Sequence, residues 1–278
     1  WNMKIALVQH EASEDRDANR RRGLIAVESA AAQGAQIICF AELGLEPFYP
    51  QERATQEKLD LAEEIPGPTT DEFASRAADL GVVLVLNLFE RDKDHTYNAS
   101  PVIDSDGKLL GTTRMVHITD YPFFHERGYY TPSDLGSPVY ETAFGKLGVA
   151  ICYDRHYPEL MRSLLLGGAE VVFVPQAGAV GEWPDGMFEA EMQVAAFQNG
   201  FFTALCNRVG TEPHLTFAGG SFVCDPSGKV IARAREAVEE ILYCDLDLDR
   251  VAVSHARRLF IRDRRPELYR NWLSQPTR

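Results

Sequence analysis

The stretch GKLGVAICYDRHYPEL, residues 145–160, decides the reading of this chain. An apolar run over 147–151 stops at Cys152. A polar cluster occupies 153–156, and Tyr157-Pro158-Glu159 then opens a helical pattern that continues to Leu166. This order reads as strand, tight turn, helix. In open α/β sheets, chemistry sits at the carboxyl ends of the strands, and that is where the thiol falls. A cysteine near a helix N-terminus also has its thiolate favoured by the helix dipole. The alternative reading of the same position is a buried structural cysteine.

Outward from this stretch, strands and helices alternate. Just upstream, 119–138 lack a regular period but are dense in aromatics: Tyr121, Phe123, Phe124, Tyr129 and Tyr130. Such a loop reads as a pocket wall, or as a lid over the core with Glu126 a surface charge. Downstream, Gly167-Gly168 closes the helix. Residues 170–175 read as a strand, 184–199 as a helix ended by Gly200, and 201–207 as a strand. Residues 217–225 and 230–234 flank Pro226-Ser227-Gly228 as a hairpin, and 240–246 are the last strand. The tail, 254–278, carries Arg257, Arg258, Arg262, Arg264 and Arg265 and is expected to be an extended arm, packed on the domain or on a partner subunit.

The N-terminal half has the same texture. Residues 4–9 read as a strand and 14–33 as a helix with Gly34 at its C′ position. Residues 36–40 form a buried strand, and Glu42 sits just past its carboxyl end. A solvated loop charge is the alternative for Glu42. An irregular stretch, 44–68, holds Pro47, Pro50, Pro66 and Pro68. Thr69 starts a helix to Leu80, with Glu72 completing a capping box. Residues 82–88 read as one strand, and 97–103 with 108–117 as a hairpin and its continuation. With no linker, low-complexity segment or repeat, the chain is expected to be a single domain over 1–278.

Of 278 residues, 45% are hydrophobic and 25% charged, ordinary for a globular protein with a sizeable core. The net charge of −13 disfavours nucleic acid or an anionic membrane as partner. No apolar stretch approaches a membrane span. The N-terminal residues Trp1-Asn2-Met3-Lys4 lack a signal-peptide pattern. Cys39, Cys152, Cys206, Cys224 and Cys244 are odd in number and far apart, with no CxxC pair, so neither a metal site nor a disulfide framework is indicated. A reduced, cytoplasmic protein without metal or cofactor is expected.

The segments together resemble a known family. Ala41-Glu42-Leu43 closes the second strand. Ile65-Pro66-Gly67-Pro68-Thr69 precedes a helix. Gly111-Thr-Thr-Arg-Met-Val-His117 follows the first hairpin turn. Gly148-Val-Ala-Ile-Cys-Tyr-Asp154, Pro158-Glu159, Asn207-Arg208-Val209-Gly210 and Arg264-Arg-Pro-Glu-Leu-Tyr269 complete the series. Over nearly its whole length the chain resembles the nitrilase superfamily of carbon–nitrogen hydrolases. The stretch from Phe124-His-Glu-Arg-Gly-Tyr-Tyr130 to His156-Tyr157-Pro158 looks most like its β-ureidopropionase and N-carbamoyl amidase branches.

The resemblance implies an α/β fold, the four-layer αββα sandwich, paired as a homodimer or higher homo-oligomer through the nucleophile-side helices. It implies Cys152 as nucleophile, Glu42 as general base and acid, Glu126 as a second, positioning Glu, and the Tyr153 backbone N–H as an oxyanion donor. The small-molecule substrate would be an amide or N-carbamoyl compound, bound by Arg155, Phe124, Tyr130, Gln176, Trp183 and Phe188. Arg155 would take a substrate carboxylate, and aromatics including Phe123 and Tyr129 an apolar portion.

One departure stands out. The family's catalytic lysine falls in an Arg-Lys-x-His segment, and this chain reads Arg114-Met115-Val116-His117. Met115 has no donor and no charge. Of the six lysines, Lys4 and Lys146 begin expected strands, and Lys93, Lys108 and Lys229 sit in turns; Lys58 alone is not excluded from the site by its position. A second departure is Gln193, where relatives often carry Arg, which leaves the pairing of Glu191 open. Three readings follow: an active amidase of unusual composition, a non-catalytic binding protein on the same fold, or a true nitrilase.

Overall fold

The computed structural model describes residues 2–277. β1 (Asn2–Gln9) and β2 (Ile37–Phe40) are joined by α1 (Arg16–Ala32). A single-turn helix, α2 (Gln56–Leu59), and α3 (Pro68–Leu80) lead to β3 (Val83–Val85), β4 (Leu88–Asp92), β5 (His95–Ile103) and β6 (Leu109–Arg114). β7 (Val139–Thr142) and β8 (Gly145–Val149) form a hairpin. α4 (Pro158–Leu166) connects to β9 (Val171–Gln176), and α5 (Met187–Asn199) to β10 (Phe202–Asn207). β11 (Val209–Thr211), β12 (Thr216–Ala218), β13 (Phe222–Cys224), β14 (Val230–Arg233) and β15 (Glu240–Asp247) complete the strands.

Two sheets result. One has the order β15-β1-β2-β3-β5-β4, with β6 on the other edge of β5; the second runs β14-β13-β10-β9-β8-β7. Alternation along each strand assigns its two faces. Ile5 and Leu7 of β1 face Val149, Phe173 and Cys206 of the other sheet, while Ala6 and Val8 pack under Leu24, Val27 and Phe73 of α1 and α3. On the far side, Leu160, Leu164, Met192 and Ala196 of α4 and α5 cover Val172, Val174 and Leu205. This is the expected αββα order of layers. Strands covered on both faces read as unbroken apolar runs, which is why 4–9, 36–40 and 170–175 are visible in the sequence.

Three expectations are corrected. Residues 82–88 are not one strand. At Leu86-Asn87 the chain leaves β3 and re-enters as β4, because the buried Asn87 side chain accepts from the Leu43 N–H and donates to Asn98 and Ser100. The start of α3 is not capped through Thr69 and Glu72. Pro68 is its first residue, and the Thr70 hydroxyl accepts from the Gly67 N–H at 2.8 Å. The tail is helical rather than extended. A π-type turn spans Ala256–Phe260, and α7 (Pro266–Leu273) follows α6 (Asp249–Ala252). Phe260 packs edge-on against Phe197 of α5 at 5.4 Å, and α7 itself buries no residue.

Candidate active site

Cys152 lies three residues past β8, in a 3₁₀ turn over Cys152–His156, with α4 beginning at Pro158. Its φ is 44°, a left-handed value that costs a non-glycine residue about 1–3 kcal/mol. Two contacts hold this elbow. Arg155 Nη1 donates to the Cys152 carbonyl at 2.8 Å. Buried Asp154 accepts from the Val116 and His117 N–H groups at 3.0 and 2.9 Å, and pairs with His117 Nδ1 at 2.7 Å. The His117 ring stacks on Tyr157 at 3.4 Å. The turn is thereby tied to the segment that carries Met115. Tyr153 follows the nucleophile at the start of the turn, where N–H groups have no partner within the turn itself.

The expected dipole activation of the resting thiol is not what the structure provides. A 3₁₀ turn separates Cys152 from α4, and the dipole's influence is confined to the first helical turn. Burial, and then the Glu42 carboxylate, push the thiol well above its ordinary value; Arg155 acts the other way. The resting sulfur is therefore a neutral thiol beside a buried carboxyl.

That carboxyl belongs to Glu42, fully buried rather than a solvated loop charge. Its Oε1 accepts from Asn98 Nδ2 at 2.7 Å. Its Oε2 has no aligned hydrogen-bond partner among the described residues, and the Cys152 thiol lies within interaction reach. Burial lifts the Glu42 carboxyl to about 7, against the opposing pull of Cys152, Asn98 and Arg208. A base that titrates near neutrality is matched to proton transfer at neutral pH. Arg208, also fully buried, fixes the loop: Nη1 donates to the carbonyls of Glu42, Leu43 and Glu46, and Nη2 pairs with Glu212. Glu126 is buried too, not a surface charge, and accepts from the Thr119 N–H at 3.4 Å. Burial and the neighbouring Glu42 hold its carboxyl well above the usual range.

Met115 is completely buried, in the same apolar cluster as Ala41, Ile151, Cys152 and Cys206. Asn98 Nδ2 stands 3.6 Å from its sulfur. The lysines with described side-chain partners are engaged elsewhere. Lys58 pairs with Glu52, Lys4 donates to the Gln33 carbonyl, and Lys146 faces Glu141. Arg114 turns away, onto Glu90, Asp92 and Asp134, with the Tyr97 ring 3.8 Å beneath it.

The residues expected to meet substrate carry buried polar atoms without hydrogen-bond partners among the described residues: Tyr130 OH, Arg155 Nε and Nη2, both amide atoms of Gln176, and Trp183 Nε1. Such atoms are expensive to leave unpaired. Gln176 ends β9, beside the nucleophile's strand in the sheet. The Phe188 ring lies 5.1 Å from the Arg155 guanidinium. Phe124, Tyr129 and Tyr130 pack with Phe48, Phe89 and Phe217 in one buried cluster. Phe123 departs from expectation: at 43% exposure it stacks outward on His214. Glu191 pairs with His156 Nδ1 at 2.6 Å and stands 3.9 Å from Arg155 Nε, while Gln193 donates to the Gly228 carbonyl.

Sequence reasoning placed Asn98 and Arg208 in family-like segments without giving either a role, and it missed Glu182. Glu182 accepts from Tyr121 OH at 2.7 Å and from the Ala179 N–H, and burial raises its carboxyl. Among the described residues, no group of His, Cys, Asp and Glu side chains is placed to hold a metal ion, and no helix is long and apolar enough to cross a membrane.

Comparison with known proteins identifies the family. The chain matches the carbon–nitrogen hydrolase family over residues 4–255. It is 34% identical to an N-carbamoylputrescine amidase of Solanum lycopersicum, covering 96% of this chain and 94% of that protein. It is 32% identical to a citrullinase of Francisella tularensis, covering 96% and 97%. A carbon–nitrogen hydrolase from Helicobacter pylori superposes with a TM-score of 0.92 at 31% identity, over the full length of both chains. With the αββα layers already in place, these matches make the chain a member of the carbon–nitrogen hydrolase family of the nitrilase superfamily.

Proposed function

We propose that this protein hydrolyses a non-peptide C–N bond in an amide or N-carbamoyl compound through a thioester at Cys152. The observation that carries the reading is the buried pairing of the Cys152 thiol with a Glu42 carboxyl that titrates near 7. Glu42 takes the thiol proton as Sγ attacks the carbonyl carbon. The tetrahedral intermediate collapses as Glu42 returns that proton to the leaving nitrogen. Water, deprotonated by Glu42, then cleaves the thioester and regenerates the thiol. The Tyr153 N–H meets the oxyanion. Protonated Glu126 positions the substrate as a hydrogen-bond donor, and Arg155 Nε and Nη2, with Gln176, Tyr130 and Trp183, bind its polar groups. Phe124 and Phe188 flank its apolar part. Exposed Leu166, Val194 and Phe197 on α4 and α5 support pairing of two copies through these helices, and the free cysteines suit the cytoplasm.

The test is steady-state turnover of N-carbamoyl amino acids, simple amides and the matching nitriles, with intact-mass detection of the acyl-enzyme. Cys152→Ala should abolish both turnover and the mass adduct. Turnover that survives this change refutes the mechanism. A second reading, a binding protein on the same fold, is favoured by the buried apolar Met115. Specific ligand binding with no turnover of any of these compounds would establish it.

A further inference from the structure

We propose that the Arg155 guanidinium takes over the electrostatic task that Met115 cannot perform, with Nη1 stabilising the Cys152 thiolate and the oxyanion formed beside it during attack. The oxyanion part rests on the hydrolase reading; the thiolate part does not.

The other cations near the site are committed elsewhere. Arg208 spends Nη1 on three backbone carbonyls and Nη2 on Glu212. Arg114 is held by three carboxylates on the far face of its strand. His117 pairs with Asp154, and His156 with Glu191. Arg155 Nη1 stands 4.0 Å from Cys152 Sγ. Its side chain is 1% exposed, so water screens the pair little. The hydrogen bond from Nη1 to the Cys152 carbonyl fixes that placement.

The charge of Arg155 is also only partly answered. Glu191 lies 3.9 Å from Nε, too far for a hydrogen bond, and its other oxygen is bonded to His156. Nε and Nη2 are buried with no hydrogen-bond partner among the described residues. A planar guanidinium has donors enough to brace the elbow, face the sulfur and still meet substrate, which a single ammonium does not. The chain thus supplies its cation from the nucleophile's own turn in the second sheet, whereas Met115 follows β6 of the first.

The proposal is tested with Arg155→Gln, Arg155→Lys and the double variant Met115→Lys/Arg155→Gln, each checked for cooperative unfolding. Two readouts are taken: the rate of Cys152 alkylation by iodoacetamide from pH 5 to 10, followed on the Cys152 peptide, and kcat and KM on an amide without a carboxylate. Because the thiol titrates well above its ordinary value, Arg155→Gln should lower the alkylation rate at any given pH in this range about tenfold or more, since a neighbouring cation favours the anion by about 1 unit or more. It should also lower kcat by ~10²–10³, the usual effect of losing an oxyanion donor. Arg155→Lys should fall between, and serves alone if the Gln variant does not fold. An ammonium at position 115 should recover roughly tenfold or more of the loss. An unchanged alkylation profile, with only KM raised and only for carboxylate-bearing substrates, overturns the proposal and leaves Arg155 a substrate ligand. A shifted profile in a protein that turns over no amide would instead sink the hydrolase reading while leaving the thiolate role intact.

Discussion

Replacing Glu42 by Gln should stabilise this protein at pH 8 while removing most of its turnover, and both effects come from the same burial. The Glu42 carboxyl titrates at about 7 in the fold, against 4.5 for an unperturbed group. For an acid raised in this way, the stabilising contribution is complete below the unfolded value and is lost as pH rises through the folded one. The gap of about 2.5 units, at about 1.4 kcal/mol per unit, means about 3 kcal/mol lost between pH 4.5 and pH 8. Gln has the shape of the protonated acid, can still accept from Asn98, and never ionises. Its removal of charge beside Glu126 works in the same direction. At about 2 °C per kcal/mol for a chain of this size, Glu42→Gln should melt about 6 °C above the wild type at pH 8, with the two coinciding near pH 4.5. The assay is thermal unfolding by circular dichroism across pH 4.5–9, with kcat/KM measured alongside. Loss of the general base should lower kcat/KM by ~10²–10⁴ and abolish the acid limb near 7. The reasoning is refuted if the difference in Tm is the same at pH 4.5 and pH 8, or if the variant is the less stable protein at pH 8.

Two further changes probe the same apparatus. Asn98→Ala removes the donor that favours the ionised form of Glu42, so the acid limb of kcat/KM should move up by about 1 unit; a limb that stays in place shows that Asn98 does not tune the base. Arg208→Met strips the carbonyls of Glu42, Leu43 and Glu46 of their donor and leaves the largely buried Glu212 without its cation. Urea unfolding should report a loss of roughly 3–5 kcal/mol, and a loss well under 1 kcal/mol would show that the loop after β2 holds itself.

The fold was legible wherever a strand is covered on both faces. β1, β2, β9 and β10 announce themselves as apolar runs because one face meets helices and the other the opposite sheet. β4 did not, because Leu88–Asp92 is half charged: Glu90 is buried only by virtue of Arg114, two strands away in the sheet. β11 and β12 are three residues each, below the length at which alternation can be read. Glu42 and Cys152 could be singled out because each is a reactive type of side chain within three residues of the end of a buried strand. Asn98 and Arg208 were not, since their work is done on a loop 56 and 166 residues distant in sequence. A signal for Asn98 existed. Asn98 and Ser100 are polar residues at alternate positions of a strand whose last seven residues are buried, a pattern that demands polar partners across the sheet.

Met115 was legible as a departure from the family's pattern, and the inward turn of Arg155 was not, for a physical reason. A missing charge is read at one position, whereas its replacement depends on the direction a long side chain takes. Arg155 is followed by an exposed-looking His-Tyr-Pro sequence and could equally have faced solvent. It turns inward because the 44° φ at Cys152 places the carbonyl of that residue where Nη1 can reach it. The hydrogen bond that braces the strained elbow is thus the one that carries the positive charge to within 4.0 Å of the sulfur. A lysine at 115 would approach the thiol from the opposite sheet and leave the elbow unbraced. Arg155 couples the two demands, so any substitution there alters nucleophile geometry and nucleophile charge together, and only a variant that restores charge without the brace, Met115→Lys on an Arg155→Gln background, separates them.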